Sequence, residues 1–358
     1  FKCLEACFEL FVPLVIAGMI DRGIRRGNIS YVLRMGGVLL LLALIGLTCS
    51  LFAQYFSAKA AAYVGQNLRN DLFCHIHSLG YPEIDALCRS ILGEGLSMSV
   101  ASFRADSVTR ELVESLAASG LKTLTLAPEA GSARMRAVIN KGIEEHHLFT
   151  AIDLGAAAHI PNFKLYIMVG LPFEEDADIA AIIDLAVRLR GYMDEKGSRG
   201  TLTLSVNPFV PKPFTPFQWM PMADKRRLDA IMKMLTGELR RHKRIVVNFE
   251  SPREALVQAI LARGDRRLAV PLMRAAQGRG AKDLVGEMRA DGLSPDAYLV
   301  RAWEADDLLP WEHLDMGFTK HYLRQEYERA AALKQTLGCF DGCTRCGVCR
   351  AKEERISV

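Results

Sequence analysis

The 358-residue chain contains no G-x-x-x-x-G-K-[ST] phosphate loop. That absence excludes an ATP site of the P-loop type in this chain. An excess of charge of one sign is also missing: 45 basic side chains stand against 41 acidic ones, a net +4. So small a surplus gives no argument for nucleic acid as a partner. The first sixty residues are poor in charge of either sign, whereas the remainder has the mixed pattern of a soluble α/β protein. Such a shift points to two units of different kind. No Gly-, Ser- or Pro-rich linker separates them. The first residue is Phe1 and not Met, as expected of a fragment.

Met35–Phe56 is uncharged over 22 residues. A helix of that length rises about 33 Å, and a bilayer core is about 30 Å thick, so a membrane span is expected. Leu10–Ile20 is a second uncharged run, too short to span alone, and reads as the tail of another membrane helix. The loop Asp21–Arg34 holds Arg22, Arg25, Arg26 and Arg34, which the positive-inside rule would keep in the cytoplasm. Residues 8–76, FELFVPLV through NDLFCHI, resemble the start of an ABC exporter membrane domain, about two helices of six. The resemblance implies instead that these helices join outside and that the second runs deep into the cytoplasm; that topology is preferred here. The expectation is a membrane-associated chain, held through residues 1–60, with its bulk cytoplasmic. Cys49 suits a small apolar filler, and His75 and His77 suit solvent.

Three segments organise the middle of the chain: Leu121–Gly131 (LKTLTLAPEAG), Phe163–Pro172 (FKLYIMVGLP) and Thr201–Pro216 (TLTLSVNPFVPKPFTP). Each is a β-rich apolar run that stops at Gly, Pro or Asn, and helix-like stretches lie between them. Strand and helix alternating at this spacing predict parallel strands with crossover helices. Ligands of such sheets sit at the carboxyl ends of the strands. Leu96–Phe103 (LSMSVASF) reads as a further strand ahead of a helix at Val108–Ala118, and Phe163–Val169 as a strand buried on both faces. Ile245–Phe249 reads as a short strand, Pro252–Ala262 as a helix, and the rest to Leu337 as helices. Glu129 at a strand end suits a ligand or local backbone amides equally well. Arg134, Arg136 and Lys141 follow it, and a solvated helix face is expected for Arg136. Glu174, Glu175 and Asp176 suit the first turn of a helix. Arg263–Arg267 suits a solvated helix end.

The motifs APEAG, RAVINKGI, KLYIMVGLPFEEDAD and LSVNPFVPKPFTPFQW resemble the radical S-adenosylmethionine (SAM) enzymes, in the branch that carries a cobalamin-binding domain. The resemblance runs from about Leu79 to Cys349. It implies a partial (β/α) barrel with SAM across its strand ends: Glu129 at the ribose hydroxyls or amino group, Gly131 among the cofactor-binding residues through close backbone approach or positive φ, Gly170, Leu171 and Pro172 against the adenine, Asn207 and Pro208 at the adenine edge. Cobalamin is implied only for a full-length relative, and the substrate is unknown. The family's radical chemistry needs a four-iron four-sulfur cluster on a C-x3-C-x2-C loop after the first strand. Upstream of Leu96 no such triad occurs: Cys3 and Cys7 are followed by Leu10, and Cys74 and Cys88 stand apart. The expectation is a chain that does not cleave SAM. His75–Cys88 (HIHSLGYPEIDALC) fits both resemblances, which suggests a chimera joined there.

Four of the nine cysteines crowd the last twenty residues. Cys339, Cys343, Cys346 and Cys349 form C-x3-C-x2-C-x2-C, a spacing that suits zinc or an iron–sulfur cluster, with both left open. The expected fold class is α/β: a partial (β/α) radical-SAM-type barrel, an N-terminal pair of transmembrane helices and a helical C-terminal region. The expected division is 1–80, 81–245, 246–337 and 338–358.

Overall fold

The computed structural model describes residues 2–78, 81–278, 280, 283–340 and 342–348. Cys349, and the side chains of Cys3, Cys7, Cys74, His75 and His77, lie outside the described residues. The chain divides into two compact units, Phe1–Glu83 and Ile84–Val358.

In the first unit, α1 (Lys2–Gly18) runs into a π-helical turn at Met19–Ile24, and α2 (Ile29–Ser78) continues for 50 residues. Asp21 pairs with Arg25 at 3.0 Å in the turn, and the Asn28 carboxamide accepts the Tyr31 N–H at the start of α2. Within α2, Leu40, Leu44, Leu47 and Leu51 are all more than half exposed. Burial inside the protein therefore does not account for this apolar surface. Ile29–Arg69 is long and apolar enough to cross a membrane, and among the described residues it is one such helix. Of the expected pair, this is the helix that meets that length; the Leu10–Ile20 run is divided between α1 and the π turn.

The second unit begins in α3 (Tyr81–Gly93) and α4 (Arg110–Ala118), whose N-cap Thr109 accepts the Leu112 N–H. Then come β1 (Thr123–Glu129), α5 (Ala133–Val138), α6 (Glu145–Ala157), β2 (Asn162–Val169), α7 (Asp176–Glu195), β3 (Leu202–Pro208), α8 (Lys225–Leu239) and β4 (Ile245–Phe249). The four strands form one parallel sheet in the order β1-β2-β3-β4. Helices between successive strands are what parallel pairing demands, because the chain must travel back along the sheet before each new strand. The C-terminal part adds α9 (Pro252–Arg263), α10 (Ala269–Gln277), α11 (Leu284–Ala290), α12 (Asp296–Leu299) and α13 (Lys320–Ala331).

Burial alternates along β2: Phe163, Leu165, Ile167 and Val169 are buried, while Lys164, Tyr166 and Met168 are not. β3 repeats the pattern with Leu202, Leu204 and Val206. Period two places these sets on opposite faces of the sheet. One face joins α6, α7 and α8 in the main apolar core, and the other is left for the site. The expectation that β2 is buried on both faces is thereby corrected. The expected strand at Leu96–Phe103 is not formed either. Phe103 alone bridges to β1, with its N–H on the Thr125 carbonyl and its carbonyl on the Ala127 N–H. Earlier in that segment, both backbone groups of Met98 are taken by the Ser119 hydroxyl, and Leu96 is exposed. Phe163 is fully buried in the shared core. Phe163→Ala is expected to destabilise the second unit by about 3–5 kcal/mol, measured as a shift of its urea unfolding midpoint in the full chain.

Candidate functional site at the strand ends

β1 ends on Glu129, which has φ +66°. A non-glycine residue in that region marks a sharp, sterically restricted turn. It turns the chain out of the sheet, and the Glu129 carboxylate meets the Lys141 ammonium at 3.2 Å. Beside it, the register puts Met168 opposite Asn207, on the sheet face away from the main core. Glu129, Tyr166, Met168, Asn207 and Pro208 line one cleft of about 540 Å³, with Phe217, Lys212 and Gln258 contributed by the loop after β3 and by α9. The aromatic wall is set by Phe209 and Phe217, edge to face at 5.9 Å. The cleft therefore joins an acidic group, amide groups and an apolar floor. Such a set suits a nucleoside carrying an amine: the carboxylate pairs with ammonium or hydroxyl, the amides read a base edge, and the apolar floor takes the ring.

Other expected site residues serve the frame. Gly131 lies so close to α7 that a Cβ would stand 2.4 Å from the Ile182 nitrogen. Gly170 has φ +74°, which only glycine adopts without strain, and its N–H donates to the Glu174 carboxylate at 2.7 Å. Leu171 is buried against Met135, Val138 and Phe217, and Pro172 is buried beside it. Gly131, Gly170, Leu171 and Pro172 therefore do not line the cleft, unlike Glu129, Asn207 and Pro208. Tyr166, Met168, Lys212 and Gln258 were missed. For Tyr166 and Met168 the signal was available, since Lys164, Tyr166 and Met168 fall two apart within an apolar strand.

The turns at the strand ends are tied by one carboxylate. Asp178 in the first turn of α7 accepts from the Ser132 hydroxyl at 2.6 Å, from the Glu175 N–H at 2.9 Å and from the Arg134 guanidinium. Arg134 also donates to the Phe173 carbonyl at 2.7 Å. Burial pushes the Asp178 carboxyl up, but the Arg134 and Ser132 hydrogen bonds outweigh it and hold it below the usual range. Arg136 is buried, not solvated: its guanidinium donates to the carbonyls of Ile143, Ala130 and Gly131. Those three acceptors make up for the water it loses. Arg263 is likewise buried, over the Trp303 ring at 4.1 Å and on the carbonyls of Leu299 and Arg301; burial pushes it down to about 10. A larger hollow of about 980 Å³ lies between Gly264–Arg267 and Leu308–His313, but its carboxylates are already paired, Asp265 with Arg267 and Glu312 with Lys320.

Residues 72–186 match the model of the Radical SAM superfamily. A radical SAM domain is present there. An uncharacterized protein of Methanocaldococcus jannaschii is 35% identical over 223 residues, 62% of this chain and 46% of that protein. Uncharacterized ABC transporter ATP-binding proteins of Mycobacterium bovis and Mycobacterium tuberculosis are each 31% identical over 68 residues, 19% of this chain and 12% of theirs. The chain thus spans under half the length of these curated relatives. No solved structure matches it.

The radical SAM superfamily in general uses SAM and an iron–sulfur cluster. The cleft's donor set fits SAM, whereas none of its lining residues is cysteine, so a cluster has no ligands there. Among the described residues, no three His, Cys, Asp or Glu side chains are grouped to hold a metal. In the tail, Cys339 is exposed, Cys343 buried and Cys346 half-buried.

Glu174 differs from its expected role in a helix's first turn. Glu175 caps α7, while Glu174 folds back on Gly170, and burial pushes its carboxyl up to about 7. A carboxyl raised in the folded state contributes stability below its unfolded pKa and loses it as pH rises through the folded value. The second unit should therefore lose stability between about pH 4.5 and 7, relative to Glu174→Gln. Denaturation midpoints of both proteins across that range check this; parallel profiles contradict it.

Proposed function

We propose that this chain binds SAM in the strand-end cleft and does not cleave it. The observation that carries the reading is the meeting of Glu129 and Met168, within the residues that match the radical SAM superfamily, with Asn207 and Phe217 in one cleft. SAM, when bound with a reduced cluster, supplies a carbon radical. This chain's own residues act before that. Glu129 holds an ammonium or ribose hydroxyls, in competition with Lys141, and Asn207 and Gln258 present amides to the base. Phe209 and Phe217 keep water from the ring face. Cobalamin, and with it methyl transfer or radical rearrangement, is proposed for a longer relative alone, and no residue here is assigned to it. Equilibrium dialysis with labelled SAM should show binding that Glu129→Ala weakens about 10- to 100-fold, the effect of losing a charge-assisted hydrogen bond of about 1.5–3 kcal/mol. Iron-reconstituted protein with a reductant should release no 5′-deoxyadenosine. Release would refute the second half of the proposal, and unchanged binding in Glu129→Ala the first.

A second reading concerns residues 1–83. The exposed apolar surface of α2 favours a membrane-held, ABC-exporter-like segment, with the remaining residues in the cytoplasm. Joined to a radical SAM domain, it makes the chain a chimera with neither parent's full activity. The chain should stay in the membrane pellet after a carbonate wash and need detergent for release. Solubility without detergent contradicts the membrane reading; of the two origins for such a chimera, recombination or misassembled reads, one continuous, expressed locus across codons 70–95 contradicts the second.

A further inference from the structure

We propose that the hollow between Gly264–Arg267 and Leu308–His313 binds an organic anion, a phosphoryl or carboxylate group on an apolar body, through Arg266 and His313. The hollow shares no lining residue with the strand-end cleft.

Both walls are braced from behind. On one side, Asp265 accepts the Arg267 N–H at 2.9 Å and takes the Arg267 guanidinium on both oxygens, at 2.7 to 3.1 Å. The same guanidinium lies 5.8 Å from the centre of the buried Tyr298 ring. On the other side, Leu309 and Trp311 are buried, and the Trp311 indole N–H donates to the Gln218 carboxamide at 2.9 Å. Trp303 joins the two sides. It meets Trp311 edge to face at 5.3 Å, and the Arg263 guanidinium at the end of α9 sits 4.1 Å from its ring centre. A hollow held in this way stands open before any ligand arrives, as most small-molecule sites do.

The charges along it do not cancel. Asp265 is taken by Arg267, whose hydrogen bonds hold its carboxyl below the usual range. Glu312 is taken by Lys320, which also donates to the Asp307 carbonyl at 3.0 Å. Among the described residues, Arg266 has no ion pair and the His313 side chain has no hydrogen-bond partner. A guanidinium and an imidazole are thereby left to line the hollow without a counter-charge. The wall beside them is apolar: Leu308, 87% exposed, with Leu309 and Pro310. Apolar walls around charge of one sign concentrate ions of the other. The planar fork of arginine matches the oxygens of a phosphoryl or carboxylate group. At about 980 Å³ the hollow has the volume of an organic-ligand site and far more than an inorganic ion fills.

The test is a calorimetric titration of the full chain, in an uncharged detergent, with phenyl phosphate, benzoate and phenol. At least one of the two anions should bind, about tenfold or more tightly than phenol, which has the ring without the charge. The tighter anion names the head group. Arg266→Ala should weaken that anion about tenfold, the loss of one charge-assisted hydrogen bond, and Arg266→Lys should recover part of it. Arg266 is exposed, so the urea midpoints of both variants should equal that of the wild type. Arg241→Ala removes another exposed arginine, paired with Glu238 just beyond α8, and should leave binding unchanged. No binding of either anion at about 10 mM, equal binding of phenol, unweakened binding in Arg266→Ala, or an equal loss in Arg241→Ala overturns the proposal.

Discussion

The Asp178 carboxylate is the contact on which the strand-end site depends. It belongs to α7, yet its partners Ser132 and Arg134 lie at the N-cap and in the first turn of α5, just after β1. Through Arg134 it also reaches the Phe173 carbonyl in the turn after β2. Hydrogen bonds to a charged group contribute about 1.5–3 kcal/mol each, more than neutral ones. Those from Ser132 and Arg134 on one buried oxygen pair fix the ends of two neighbouring strands to a single helix start. Gly131 makes this geometry possible, because any side chain there would collide with the α7 backbone.

With the helix side fixed in this way, the opposite face of the sheet lines the cleft. Phe163, Leu165, Ile167 and Val169 enter the core, and their alternates Tyr166 and Met168 reach the cleft. Core packing and cleft lining are thereby assigned to alternate positions of the same strand. Glu129 stands at the edge of this division. Its restricted backbone turn and its ion pair with Lys141 hold a carboxylate at the rim before any ligand arrives. A preorganised group of this kind loses less entropy on binding than a mobile one.

Much of this was legible in the residues themselves. The parallel order of strands followed from apolar runs that stop at Gly, Pro and Asn with helices between, and Ile245–Phe249 and the helix beginning at Pro252 lie where the pattern placed them. The misreadings have physical causes. Leu96–Phe103 has a strand's alternation, but alternation supplies no pairing partner, and Phe103 alone finds one. Arg136 and Arg263 carry charge, which argues for solvent until enough backbone carbonyls gather around them; no local pattern announces those carbonyls, since Arg263 finds its own 36 and 38 residues away. Gly170, Leu171 and Pro172 sit at a strand end as foreseen, yet a strand end also has to turn, and their turn is closed by Glu174.

The sheet has two flanks. Among the described residues, Phe103 alone bridges to the outer side of β1, and β4, with Val246 41% exposed, ends the order on the other side. Uncovered strand flanks present backbone donors and acceptors to any extended peptide that drifts past. At high concentration this protein would find such peptides in its own copies, a route to self-association distinct from the exposed apolar surface of α2.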